Sequence, residues 1–96
     1  MTDQNEASIF RRLNSYVKDQ GGEIFHTDIL HPGFPDKTIL LPGGITVFAE
    51  LKRPKGEIRP GQPYWRKRLR GLGFRTDFFY DYQTLIDWIE NETQSD

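Results

Sequence analysis

Between Ile45 and Lys52 the chain alternates. Ile45, Val47, Ala49 and Leu51 share one parity, and Thr46, Phe48, Glu50 and Lys52 the other. Successive side chains of a β-strand point to opposite faces. The pattern therefore predicts a strand that buries the first, wholly apolar set. The other face carries Glu50 and Lys52 side by side, about 6–7 Å apart along the strand. Lys37 to Leu41 is a second β-prone run, and Leu41-Pro42-Gly43-Gly44-Ile45 between the two reads as a three-residue hairpin loop. Pro42 would preset the first position of a bulged type I turn, and Gly44 would take its left-handed position. Pairing Leu41 with Ile45 puts Leu40 opposite Thr46, Thr38 opposite Phe48 and Asp36 opposite Glu50, and such partners share a face. A two-residue Gly43-Gly44 turn would slip the register by one and bring Lys37 there instead. The first reading uses Pro42 and seats two carboxylates together.

The remaining elements follow from the same patterning. From about Glu6 to Gln20, Ile9, Leu13, Tyr16 and Val17 recur at helical spacing, with Phe10 widening the stripe and Gly21-Gly22 ending it. Glu6 stands near the inward face at the helix start, where a carboxylate also complements the helix dipole. Glu23 to Leu30 reads as a strand. His31-Pro32-Gly33-Phe34-Pro35 reads as a loop, because each proline disfavours helix for itself and its predecessor. Arg53 to Gly61 is an irregular basic loop. Pro63 suits the first turn of a helix over roughly Gly61 to Leu72, with Trp65, Leu69 and Leu72 as its buried stripe. Phe74 to Tyr80 is a β-prone run. Asp81 is placed to cap a last helix, about Tyr82 to Asn91, that buries Leu85, Ile86 and Ile89, with Trp88 near its edge. The order is αβββαβα: a small α/β domain, a mixed sheet flanked by helices.

Length and composition narrow the picture. Ninety-six residues make one domain, 1–96, and 35% hydrophobic with 28% charged residues give it a modest core. That makes a dimer interface a natural source of extra stability, and the helix bearing Trp88 is a candidate surface for it. There is no cysteine, which excludes disulfides and thiolate metal sites. No apolar run approaches the ~20 residues of a membrane span, and no signal-peptide pattern opens the chain, so a cytoplasmic protein is expected. The net charge of −1 hides an asymmetry. From Lys52 to Arg75 nine basic residues stand against the single acid Glu57, and after Arg75 there are six acids and no basic residue. A local basic patch is the footprint of a polyanion binder. Lys55, Arg59, Arg66, Lys67 and Arg70 are the candidate nucleic-acid contacts.

The chemistry then centres on Asp36, Glu50 and Lys52. Taken singly, Asp36 is a turn residue after Pro35, and Glu50 with Lys52 is an exposed ion pair worth well under ~1 kcal/mol. Taken with the register, they can hold a metal ion and a phosphate together. Hard oxygen ligands suit Mg²⁺ or Mn²⁺ rather than zinc. His26 and His31 lack the spacing of a zinc pair. Phosphate contacts position DNA without reading its sequence, and no recognition helix with base-reading residues is present. The expected selectivity is for DNA structure. Tyr64 or Trp65 can stack on an unpaired base, although the spacing of Trp65 favours the core.

The ordered set Gly33-Phe34-Pro35-Asp36, a Pro-Gly-Gly turn and Phe48-Ala49-Glu50-Leu51-Lys52 resembles the PD-(D/E)XK nuclease signature. Pro54-Lys55-Gly56, Pro60-Gly61-Gln62 and Leu72-Gly73-Phe74 resemble its VRR-NUC branch, as do Glu6-Ala7-Ser8-Ile9 and Gly21-Gly22. The similarity runs from Glu6 to Ile89. It implies a restriction-endonuclease-like fold and a metal-dependent endodeoxyribonuclease. Asp36 and Glu50 would be the metal carboxylates, with the Leu51 carbonyl as a further ligand. Lys52 would be the catalytic lysine, Glu6 the first-helix acid and Gln62 the active-site glutamine. A stand-alone domain this short resembles phage and bacterial members that look like Holliday-junction resolvases working as homodimers. That implies branched DNA as partner and a bacterial or phage-infected cell as location. A flap or nicking endonuclease of the same chemistry, or a nucleic-acid-binding module without catalysis, are the alternatives. Two departures stand out: Phe34, where a smaller aliphatic residue is expected, and the bulk of Pro63-Tyr64-Trp65 after Gln62.

Overall fold

The structure, a computed structural model, describes residues 6–52 and 58–94, and for Glu6 and residues 92–94 the backbone alone. Helix α1 (Glu6–Asp19) leads into strand β1 (Glu23–His26) and a short 3-10 helix (Asp28–Leu30). Strands β2 (Lys37–Leu41) and β3 (Ile45–Leu51) form the hairpin, followed by α2 (Gln62–Gly71), β4 (Arg75–Phe79) and α3 (Tyr82–Gln94). This is the expected αβββαβα order. The four strands form one sheet in the order β1-β2-β3-β4. β1 and β2 pair antiparallel, as do β2 and β3, while β4 lies parallel to β3. The connection from β3 to β4 carries α2, as a parallel crossover requires.

The hairpin register is the one that opposes the two acids. Leu41 pairs with Ile45, Leu40 with Thr46, Thr38 with Phe48 and Lys37 with Ala49, so the next step of the ladder sets Asp36 against Glu50. The turn itself differs from the expected type. Gly43 as well as Gly44 has positive φ, +88° and +77°. Positive φ at the second central position, after Pro42, belongs to a type II rather than a type I arrangement.

One face of the sheet is covered by α1 and α3. Ile9, Leu13 and Val17 of α1 meet Ile39, Leu41, Val47, Ala49, Leu51 and Phe79 of the sheet and Leu85, Ile86 and Ile89 of α3 in a single core. Asp81 caps α3 as expected: its carboxylate accepts from the Thr84 backbone N–H at 2.8 Å and from the Thr84 hydroxyl at 3.0 Å. On the other face α2 packs against β4.

Three expectations are corrected. The strand predicted over Glu23–Leu30 stops at His26, because Thr27 adopts φ −120°, ψ 1° and the Leu30 N–H closes a turn onto the Thr27 carbonyl at 3.0 Å. Leu72 is not buried. The helix ends at Gly71, and the Leu72 N–H instead caps the last turn on the carbonyls of Arg68 and Leu69, leaving the side chain 53% exposed. The last helix runs on past Asn91 to Gln94.

Candidate active site

The site forms where β2 and β3 stop pairing. Past Lys37 the β2 chain turns away into the 31–35 loop, and Asp36 hangs at that corner. Its main-chain carbonyl accepts from the Thr27 N–H at 2.8 Å. Its carboxylate Oδ2 accepts from the Leu51 N–H at 3.1 Å. The hydroxyl of Thr27, itself buried, donates to the Pro35 carbonyl at 2.9 Å, and the Thr38 hydroxyl donates to Thr27 Oγ1 at 2.9 Å. Asp36 is therefore fixed by main chain from β3 and from Thr27, the residue just past β1, with a buried hydroxyl chain holding the residue before it.

Glu50 is 3% exposed and faces Asp36. Burial pushes its carboxyl up to about 8, and a hydrogen bond with Asp36 and the charge of Asp36 push the same way. The Lys52 ammonium pulls it down without cancelling these effects. Lys52 is 7% exposed. Its Nζ donates to Gln62 Oε1 at 2.8 Å, and the same oxygen accepts from the Arg59 backbone N–H at 2.7 Å. The buried Gln62, first residue of α2, thus ties the helix, the loop before it and the lysine into one unit.

A second tie holds the Asp36 loop against that helix. Gly33 and Gly61, both at positive φ (+84° and +93°), touch backbone to backbone. A Cβ on Gly33 would lie 2.5 Å from the Gly61 carbonyl carbon. The approach needs glycine on steric grounds and on conformational grounds alike. Around it stands an aromatic wall. Phe34 meets Phe48 and Trp65 edge-on at 5.7 and 5.1 Å, and Trp65 Nε1 donates to His31 Nδ1 at 3.3 Å. Trp65 is half-buried in this wall rather than in the main core. Phe34, larger than the residue expected there, is one of the wall's bricks.

Of the predicted site residues, Asp36, Glu50, Leu51, Lys52 and Gln62 come together. Glu6 opens α1, but its side chain lies outside the described residues, as does all of Lys55. Among the nucleic-acid candidates Arg59 and Lys67 are exposed. Arg66 bridges to Asp77 at 3.3 Å and lies over the Phe78 ring, and Arg70 reaches Asp77 at 3.4 Å and the Thr76 carbonyl. Sequence reasoning missed Thr27, the Gly33–Gly61 contact and the bridging role of Asp77. The first two depend on loops folding back beside the sheet and the third on how α2 docks on β4, none of which periodicity reports.

The donor set fits a hard divalent cation. Two carboxylates that crowd one another in a buried corner repel when ionised, and a cation between them relieves that repulsion. The N–H and C=O of one residue in an extended strand leave on the same side. The Leu51 carbonyl accordingly leaves on the Asp36 side of β3. Among the described residues no third carboxylate or histidine joins the pair, which suits a metal held by one or two carboxylates and water.

The architecture is that of the restriction-endonuclease-like fold: a small mixed sheet between helices, with the acids and the lysine at the open end of a central hairpin. More particularly, the chain superposes on a solved structure described as "VRR_NUC domain" with a TM-score of 0.77 and 22% identity, covering 88% of this chain and 94% of that one. No family model and no curated protein matches the sequence. No helix among the described residues is long and apolar enough to cross a membrane.

Proposed function

We propose that this chain is a VRR-NUC-type endonuclease, dependent on Mg²⁺ or Mn²⁺, that hydrolyses phosphodiester bonds in branched DNA and acts on four-way junctions as a homodimer. The observation that carries the reading is the meeting of Asp36, Glu50 and Lys52 beneath Gln62, on a fold shared with a structure described as a VRR_NUC domain.

Asp36, Glu50 and the Leu51 carbonyl would hold the metal, and Glu6 would serve as the first-helix acid. A divalent cation bound there supplies an acidified water and neutralises charge on the scissile phosphate. Glu50 gives up its proton when it becomes a ligand, since only the carboxylate coordinates. Lys52 places its ammonium within two residues of Glu50, where it orients the attacking water or offsets the charge that develops on the phosphate. Gln62 acts through Lys52: its oxygen fixes the lysine, and through Arg59 it fixes the loop in front of α2. Lys55, Arg59, Arg66, Lys67 and Arg70 hold the phosphate backbone. Two copies about a two-fold axis would present two sites to opposed strands of a symmetric junction.

The test is cleavage of end-labelled four-way junction, flap, nicked and linear duplex DNA with Mg²⁺, Mn²⁺ or EDTA, for wild type and Lys52→Ala. Paired cuts in the junction, lost with EDTA and in Lys52→Ala, are the expected result. Cutting mainly of flaps or nicked duplex would keep the site and change the substrate. Binding without cutting under either metal would reduce the chain to a nucleic-acid-binding module. Sedimentation as a monomer alone, with and without junction DNA, would remove the homodimer.

A further inference from the structure

A cleft of about 500 Å³ opens at the far end of α2, lined by Arg70, Phe74, Arg75 and Trp88 around the Thr76 edge of β4. We infer that it anchors a second nucleotide of the same DNA strand, about four base pairs from the scissile phosphate. This rests on the nuclease reading for its distance, not for its chemistry.

The chemistry comes from the lining. Arginine guanidiniums match phosphate geometry, and aromatic rings offer a face to a sugar or base. Arg70 is already oriented: its Nε and Nη2 both donate to the Thr76 carbonyl, at 3.2 and 3.0 Å. That fork spends one side of the guanidinium on the strand edge and leaves the Nη1 side without a partner among the described residues. Asp77 forms ion pairs with both Arg66 and Arg70, so the three together keep a net positive charge. Arg75, exposed at the start of β4, adds a second guanidinium to the cleft, and Phe74 is 39% exposed beside it. A donor fixed before the ligand arrives loses little freedom on binding.

The distance comes from the topology. Glu50 pairs with Phe78 at one end of β4, and Val47 with Arg75 at the other. Three strand steps are about 10 Å, and because the number is odd Arg75 leaves β4 on the face opposite Phe78 and joins the cleft round the free edge of the sheet, on the order of 13 Å from Glu50. Helix α2 covers the same interval, running from Gln62 at the site to Gly71 at the cleft, about 15 Å for ten residues. Arg66 and Lys67 lie between. Phosphates of one duplex strand advance about 3.4 Å per step along the axis, so the interval corresponds to about four steps.

The experiment uses the full chain and a junction whose linkages are replaced one at a time by neutral methylphosphonate, scanned over eight positions on either side of the cut. Cleavage KM is read with Mg²⁺, and binding by fluorescence anisotropy with Ca²⁺. One interval three to five base pairs from the cut, on one side only, should raise KM severalfold. Arg75→Ala should raise KM to a similar degree, lower the slope of log affinity against log salt by about one, and become insensitive to the neutral linkage at that interval. Arg75→Lys should recover part of the salt slope, which an unfolded variant would not. If no linkage in that interval matters, or if Arg75→Ala remains as sensitive to it as wild type, the anchor is wrong while the nuclease stands. If the Arg75-dependent binding footprint is present and no DNA is cut under any metal, the nuclease reading fails and the anchor remains.

Discussion

On the α1–α3 side of β3, Val47, Ala49 and Leu51 are at most 2% exposed; on the α2 side, Phe48, Glu50 and Lys52 are at most 8% exposed. Burial alone does not distinguish the two faces of this strand. Chemistry does. The first set sits in a continuous apolar core, where each buried side chain stabilises by roughly 1.5–3 kcal/mol. The second set places a carboxyl and an ammonium where water has largely been removed, which costs free energy unless each finds a partner. Lys52 finds Gln62, while Glu50 finds another acid; burial first, and Asp36 second, push its carboxyl up to about 8. One strand therefore holds the molecule together with one face and keeps an unfavourable pair of acids in place with the other.

Substitutions on the two faces should separate. Leu13→Ala, at 0% exposure in the apolar core, should lower unfolding free energy by about 2–5 kcal/mol in urea titrations while leaving the remaining folded protein able to bind metal. Lys52→Ala should do the reverse, with a fall in kcat of about 10²–10³-fold and a small change in stability. If Lys52→Ala unfolds the protein as readily as Leu13→Ala, both faces are simply core and the contrast collapses.

Gly33→Ala sharpens the contrast next. The new Cβ would meet the Gly61 backbone at 2.5 Å, and φ is +84°. Forcing a side chain into the left-handed region costs on the order of 1–3 kcal/mol, and the clash adds to that. The strain falls on the loop that carries Asp36, not on the α1–α3 core. The expected result is metal binding and cleavage lost together, with the far-ultraviolet circular dichroism spectrum retained.

A pH titration tests the two acids directly. The unfolded chain releases the Glu50 proton near the ordinary carboxyl value of 4.5, whereas the folded, metal-free protein holds it up to about 8. Between those values the native state binds more protons, so stability should fall as pH rises. Glu50→Gln should flatten that slope. Metal requires the ionised form, so below pH 8 the apparent Mg²⁺ affinity should rise by about tenfold per pH unit with one proton released. Calorimetry in buffers of different ionisation enthalpy measures that proton. An affinity independent of pH from 6 to 8 would mean Glu50 is not a ligand.

The apolar face was almost wholly legible in the sequence. The stripe Ile9-Leu13-Val17, the alternation of β3 and the set Leu85-Ile86-Ile89 all pack as their spacing predicts, because a buried apolar face leaves a periodic record. The pairing of Asp36 with Glu50 was legible too, through the length of the Pro42–Gly44 loop, although not through its turn type. Less of the site's support could be read. Thr27 looked like one more strand residue, and nothing in the spacing says that its hydroxyl turns back to Pro35. Gly33 and Gly61 are 28 positions apart, and only the folded chain brings them into contact. Leu72 kept the helical period yet fell past the last turn, where the period no longer binds a side chain to the core.

Thr27 yields the smallest expected effect and the finest test of how the second face is held. Its hydroxyl both donates to the Pro35 carbonyl and accepts from Thr38, while its N–H holds the Asp36 carbonyl. Thr27→Val keeps the shape and the N–H but removes the hydroxyl, leaving two polar groups short of a partner at a cost of about 1 kcal/mol. The loss should appear as a severalfold weaker Mg²⁺ affinity, since Asp36 is the residue next in line, with KM for DNA little changed. Thr27→Ser keeps the hydroxyl and should restore the metal affinity even though it loses a buried methyl. If Ser and Val lose stability equally and neither alters metal binding, Thr27 belongs to the packing of the loop, and the placement of Asp36 rests on the Leu51 N–H and the strand register alone.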